Sequence, residues 1–129
     1  MDDKIKYQRE PLVSVVDDDD LMRSSTRRLL RSVGLRAEGF ASAEEFLASK
    51  LAGETNCLVL DLRMPGMNCL QLQQRLAENS NPIPIIFVTA QASTAAKHQA
   101  LEAGAVQFLQ KPTDNEVLLL AIYRALNKL

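Results

Sequence analysis

The segment VVDDDD, residues 15–20, runs two valines straight into four consecutive carboxylates. Two unit charges about 4 Å apart repel by roughly 4 kcal/mol at an effective dielectric of about 20. Such crowding requires open water or a cation. Two kinds of chemistry meet that requirement: paired carboxylates hold a hard divalent ion, and aspartates at the start of a helix cap its free N–H groups and complement its dipole. Three further groups invite the same question. Asp61 closes the apolar run CLVL, Thr89 closes PIIFV, and Lys111 precedes Pro112. Each has a plain structural account on its own, as a turn aspartate, a hydroxyl satisfying local backbone and a solvated loop lysine.

The elements that must position these groups follow from the apolar spacing. LVSVV (12–16) is a short β-branched run, the mark of a strand. Leu21, Met22, Leu29, Leu30 and Val33 recur at helical spacing, and Gly34 stands where a helix stops. RAEGF (36–40) is a weaker strand. Ser42 and Glu45 have the capping-box spacing at the head of a second helix that carries Phe46 and Leu47 inward. CLVLDL (57–62) and PIIFVTA (84–90) are nearly continuous apolar runs, as expected of strands buried on both faces. Between them, Asn68 caps a helix containing Leu70, Leu72 and Leu76. Residues 95–103 form a small Ala-rich helix ended by Gly104, and AVQFL (105–109) is the last strand. Asp114 or Asn115 opens a final helix containing Val117, Leu118, Ala121, Ile122, Leu126 and Leu129.

Five strands alternating with five helices predict an α/β fold, a parallel sheet covered on both faces. In such an open sheet, ligands bind beyond the carboxyl ends of the strands. Asp17 and Asp18, then Asp61, Thr89 with Ala90, and Lys111 with Pro112 all stand at those ends. Neighbouring strands are about 4.8 Å apart, so the side chains converge if strands one, three and four are adjacent.

Composition narrows the classes of function. The 129 residues fit one domain, 47% are apolar, and the formal charge of −1 is unlike a surface built to hold nucleic acid. No apolar run approaches the ~18 residues of a membrane span. MDDKIKYQRE, residues 1–10, reads as a flexible polar tail rather than a signal peptide, leaving 11–129 as the domain. Cys57 and Cys69 lack metal-ligand spacing with the lone His98, and both are expected as reduced thiols in a cytoplasmic protein.

Taken together, VVDDDD, LVLDLRMPG (58–66), VTA (88–90) and LQKP (109–112) resemble the receiver domain of two-component response regulators. CLVLDLRMPGM, FASAEEFL and EAGAVQFLQKP resemble more narrowly the receivers of the FixJ and NarL class, which control transcription. The resemblance runs from about Leu12 to the C-terminus. It implies a flavodoxin-like (βα)5 doubly wound sheet of strand order 2-1-3-4-5. It implies that Asp61 accepts a phosphoryl group from a sensor histidine kinase, with Lys111 and Thr89 assisting. It implies Mg²⁺ held directly by Asp18, Asp61 and the main-chain carbonyl of Arg63, with Asp17 acting through a coordinated water. Asp19 and Asp20 fall where the first helix begins and are expected to cap it.

The same resemblance implies a cis Lys111–Pro112 bond and a switch in which Thr89 turns toward the phosphoryl group while Phe108 moves inward. That switch remodels the face of the fourth helix, fifth strand and fifth helix, which then binds a partner or a second copy of the chain. Ala90 leaves room for phosphate, and Arg63 and Gln91 flank the site and tune hydrolysis. DNA would be reached only through a helix-turn-helix domain outside this sequence, so a receiver cut from a longer transcription factor is expected, with a stand-alone receiver as the alternative. Three departures stand out. Asn68-Cys69 replaces the usual Ser-Gly, Gln91-Ala92-Ser93 replaces His-Gly-Asp, and Thr113 replaces the aromatic after Lys-Pro. None removes a charge from the acidic set. The rival readings are an interaction module that no longer uses phosphate and a metal-dependent phosphohydrolase. The first would show no phosphate gain, and the second would turn over many equivalents; the receiver reading limits the chemistry to self-phosphorylation and self-dephosphorylation.

Overall fold

A computed structural model describes residues 10–61, 69–78, 82–90 and 93–127. In chain order the elements are β1 (Leu12–Val16), α1 (Asp20–Ser32), β2 (Arg36–Phe40), α2 (Ala43–Ala48), a 3-10 turn (Lys50–Glu54), β3 (Thr55–Leu60), α3 (Cys69–Glu78), β4 (Ile85–Thr89), α4 (Thr94–Glu102), β5 (Gln107–Gln110) and α5 (Asn115–Ala125). The strands form one sheet in the order β2-β1-β3-β4-β5, with every pairing parallel. The expected order and fold class are the observed ones.

The continuous apolar runs are explained by burial on both faces. Side chains alternate along a strand, so Val13 and Val15 of β1, Cys57 and Val59 of β3, and Ile86 and Val88 of β4 point to one core. Leu30 from α1 and Leu118, Ala121 and Ile122 from α5 close it. Val16, Leu58, Leu60, Ile85 and Phe87 point the other way, to a second core closed by Phe46 of α2, Leu72 and Leu76 of α3 and Ala100 of α4. Phe40 and Phe46 meet edge-on there, with ring centroids 5.4 Å apart.

Buried polar groups in the sheet are matched. Ser14 Oγ and Thr55 Oγ1 are 2.7 Å apart, and Thr55 Oγ1 donates to the Leu51 carbonyl at 2.8 Å. The single Thr55 hydroxyl proton is thus used, and Ser14 is the donor between the two. The β1–β3 register shifts between Leu12 and Val13, leaving Asn56 without a ladder partner. Its side-chain oxygen instead accepts from the Leu12 N–H at 2.9 Å.

Helix ends follow the sequence signals. Asp19 accepts from the N–H groups of Leu21 and Met22, Ser42 from Glu45, Ser93 from Ala96 and Asp114 from Glu116. Asp114, not Asn115, is therefore the last cap. Glu45 reaches back to the Ala41 N–H at 3.4 Å, one residue short of a reciprocal box. Gly34 and Gly104 take φ of +87° and +108° just beyond α1 and α4, conformations that cost other residues steric strain.

Some boundaries differ from expectation. β3 begins two residues earlier, at Thr55, because the hydroxyl and amide partners above accommodate polar residues in the ladder, and it ends at Leu60. β5 is only Gln107–Gln110. Leu21 is 75% exposed. It stands nine residues before buried Leu30, two and a half turns at 3.6 residues per turn, which places it on the opposite side of α1. Val117 and Val33 are exposed as well. The polar tail up to residue 9, Asn68, Leu129 and the side chains of Cys69 and Leu70 lie outside the described residues. No helix among the described residues is long and apolar enough to cross a membrane.

Candidate functional site

The parallel register sets the site. Val16 pairs with Leu60, Leu60 with Phe87, and Thr89 with Gln110. The residues that follow β1, β3 and β5 therefore emerge together at one edge of the sheet. Asp17 and Asp61 leave their strands side by side, the Asp61 N–H donating to the Val16 carbonyl at 3.0 Å and the Asp17 N–H to the Phe40 carbonyl at 3.1 Å. The Lys111 N–H donates to the Thr89 carbonyl at 2.8 Å.

Lys111 Nζ donates to Asp17 Oδ2 at 2.8 Å and to Asp61 Oδ2 at 3.2 Å. All three groups are largely shielded: Asp17 is 6% and Asp61 8% exposed, and the lysine side chain 13%. Burial works against the ammonium charge, but the hydrogen bond and charge of Asp17, and then of Asp61, outweigh it and hold the Lys111 pKa above the usual lysine value. Asp17 Oδ1 accepts from the Asp19 N–H at 2.9 Å. Asp17, Asp18 and Asp61 each present a carboxylate oxygen within 4.8 Å of the others. Asp18 is the exposed member.

This donor set suits a hard cation. It consists of carboxylate oxygens only, without the nitrogen or sulfur that softer metals prefer. Both oxygens of Asp17 already hold protein donors. Asp18, whose carboxylate makes no hydrogen bond among the described residues, stands open to a ligand.

Asp17, Asp18, Asp61 and Lys111 are brought together. Thr89 lies at the same sheet edge, fully buried, and Ala90 follows it exposed. Phe108 of β5 is half-buried, its ring 6.0 Å from that of Phe87. The Lys111–Pro112 bond is cis. Arg63 and Gln91 lie outside the described residues. Asp19 caps α1, while Asp20 forms an ion pair with Arg23. Thr113 lines a cavity of about 210 Å³ between α1, α5 and the sheet, whose walls also include Asp17, Asp61 and Lys111. Cys57 of β3 is a buried free thiol. The spacing of Asp20 and Arg23 was the available signal for one residue that sequence reasoning missed, since Arg23 Nη1 also donates to the Asp17 carbonyl at 2.7 Å.

An acidic pocket at the carboxyl edge of a five-stranded 2-1-3-4-5 sheet, with a lysine arriving from the last strand, defines a receiver-type fold and site. The family model for the response regulator receiver domain matches residues 13–123, and the chain belongs to that family. Nodulation protein W of Bradyrhizobium diazoefficiens is 45% identical over 114 residues, covering 88% of this chain and 50% of that protein. The transcriptional regulatory protein FixJ of the same organism is 34% identical, covering 90% of this chain and 57% of FixJ. Among solved structures, the response regulator StyR superposes with a TM-score of 0.84 at 44% identity, covering 92% of this chain and 60% of StyR. FixJ-N superposes at 0.82 and 35% identity, covering 95% and 98%. The chain spans about half the length of the curated relatives it matches. As a receiver it is a regulatory unit rather than a classical enzyme.

Proposed function

We propose that the chain, from residue 11 to 129, is a phosphorylatable switch that accepts a phosphoryl group on Asp61 from a phosphohistidine of a sensor kinase. A carboxylate oxygen of Asp61 forms the new bond to phosphorus as the phosphorus–nitrogen bond breaks. The bonding pair goes to the departing imidazole nitrogen, which takes its proton from solvent, and an acyl phosphate remains. The observation that carries this reading is the bridge from Lys111 to both Asp17 and Asp61. An ammonium already seated on the acceptor carboxylate supplies the positive charge that an incoming phosphoryl group requires.

Mg²⁺ fits the oxygen donors, with Asp18, Asp61 and the Arg63 carbonyl as direct ligands and Asp17 acting through water; when bound it neutralises phosphoryl charge and orients the transfer. Asp17 holds Lys111 in place, and Ala90 leaves space above the site. Phosphorylation adds close to two negative charges. In this reading Thr89 turns toward them and Phe108 follows inward, shifting the α4-β5-α5 face between two packings. That face then engages a second copy or a DNA-binding domain in a longer cytoplasmic protein; the match to 57% of a transcriptional regulatory protein, FixJ, supports the longer chain.

The test is the intact mass after exposure to a small phosphodonor and Mg²⁺. The unmutated chain gains one phosphate and Asp61→Ala gains none. No gain by the unmutated chain would favour a phosphate-independent module instead.

A further inference from the structure

Arg23 is 20% exposed and holds two groups of the turn that carries the acidic cluster. Nη1 donates to the Asp17 carbonyl at 2.7 Å, and Nη2 pairs with the Asp20 carboxylate. Its stem passes over β2. A Cβ added to Gly39 would stand 2.8 Å from Arg23 Cγ and 2.9 Å from Arg27 Cδ, closer than real carbon contacts. The Gly39 backbone is not left-handed. What this position uses is the missing side chain, which lets the stems of Arg23 and Arg27 lie flat on the strand.

Asp17 is consequently gripped at four points: its N–H by Phe40, its carboxylate by the Asp19 N–H and by Lys111, and its carbonyl by Arg23. The first three come from the strand ladder, the turn and the site lysine. The fourth depends on a helix side chain with a bare strand residue beneath it.

We propose that Arg23, seated on Gly39, is a positioning residue for the acidic cluster. By holding the Asp17 carbonyl and the Asp20 carboxylate it fixes the 17–20 turn and aims the Asp18 carboxylate at the oxygens of Asp17 and Asp61. This rests on the cluster being a divalent-metal site. Charge and positioning make opposite predictions. As a charge alone, Arg23 repels a cation, and its removal tightens metal binding. As a positioning residue it aids the cation, and its removal weakens binding despite the more negative field.

The test is calorimetric titration of Mg²⁺ into the unmutated chain, Arg23→Gln, Arg23→Lys and Gly39→Ala, with urea midpoints taken in metal-free buffer. Gly39→Ala keeps the guanidinium but fills the space under its stem, and it carries the test if Arg23→Gln does not fold. Losing a residue that orients a metal ligand typically weakens affinity by roughly 10–100-fold. Arg23→Gln and Gly39→Ala are expected to bind Mg²⁺ about tenfold more weakly, with Arg23→Lys recovering part of the loss. Their phosphorylation rates return to the unmutated value when Mg²⁺ is raised in proportion, a recovery that general destabilisation does not give. Affinity equal to or tighter than that of the unmutated chain in either variant overturns the proposal. An unmutated chain that takes up no Mg²⁺ refutes the metal site itself, and the proposal with it.

Discussion

Lys111 Nζ lies 2.8 Å from Asp17 Oδ2 although 94 residues separate the two in the chain. The sheet order makes this contact, because only strands packed as β1-β3-β4-β5 bring the end of the first to the end of the last across Asp61. Among the described residues, Lys111 bridges two of three clustered carboxylates and leaves Asp18 as an exposed negative charge beside them.

Relieving that charge should stabilise the fold while removing function. Asp18→Asn removes the most exposed carboxylate of the cluster, where solvent screening moderates the repulsion. Its melting temperature in metal-free buffer is expected to rise by about 2–4 °C, as for a gain of somewhat under 1 kcal/mol. Millimolar Mg²⁺ should raise the melting temperature of the unmutated chain through binding to the folded state and leave Asp18→Asn unmoved. Thermal scans with and without Mg²⁺ check both halves.

Cys57 gives a pH dependence of known sign. Burial pushes its thiol up to about 12, from 9.0 for a free thiol. The folded state then holds a proton that the unfolded chain releases, so this contribution to stability is complete below about pH 9 and is lost as pH rises toward 12. Urea titrations from pH 8 upward should show a shallower alkaline decline in Cys57→Ala than in the unmutated chain. Peptide mapping after alkylation at pH 8 should find Cys57 protected in the folded chain and modified in denaturant.

The Ser14–Thr55 pair predicts an asymmetry. Thr55→Val leaves the Ser14 hydroxyl buried without its acceptor, a penalty of about 1–3 kcal/mol. Ser14→Ala leaves Thr55 still donating to Leu51, so its cost should be the smaller, about 1 kcal/mol. Urea denaturation of the two variants gives the order directly, and a larger loss for Ser14→Ala contradicts the assigned donor direction.

Thr113→Phe should fill the cavity that Thr113 lines beside Leu29 and Leu118. Burying an aromatic ring there adds about 1 kcal/mol, read as a melting temperature about 2–6 °C higher. A fall in melting temperature shows that the cavity cannot accept the ring.

Much of this was legible in the sequence because its strongest signals are local. The runs CLVL and IIFV read as strands buried on both faces, and Ser42, Gly34, Gly104 and the Asp114-Asn115 pair marked helix ends by their own chemistry. The order β2-β1-β3-β4-β5, however, rested on resemblance, since alternation predicts a parallel sheet but not which strands adjoin. Leu21 fits the helical spacing of its segment but does not face the sheet. The start of β3 was missed because Thr55 and Asn56 become strand residues only through partners supplied by Ser14, Leu51 and Leu12. The i,i+3 spacing of Asp20 and Arg23 was a local signal for the arginine, but nothing local reveals that Gly39, on the adjacent strand, makes room for it.

The central claim is that the strand-end convergence makes Asp61 the acceptor, and trapping the acyl phosphate tests it most directly. Borohydride reduces an aspartyl phosphate to homoserine, which survives digestion. After phosphodonor, Mg²⁺ and borohydride, the tryptic peptide 51–63 should carry homoserine at position 61 and nowhere else. Homoserine at Asp17 or Asp18, or a phosphorylated chain with residue 61 unchanged, would contradict the account.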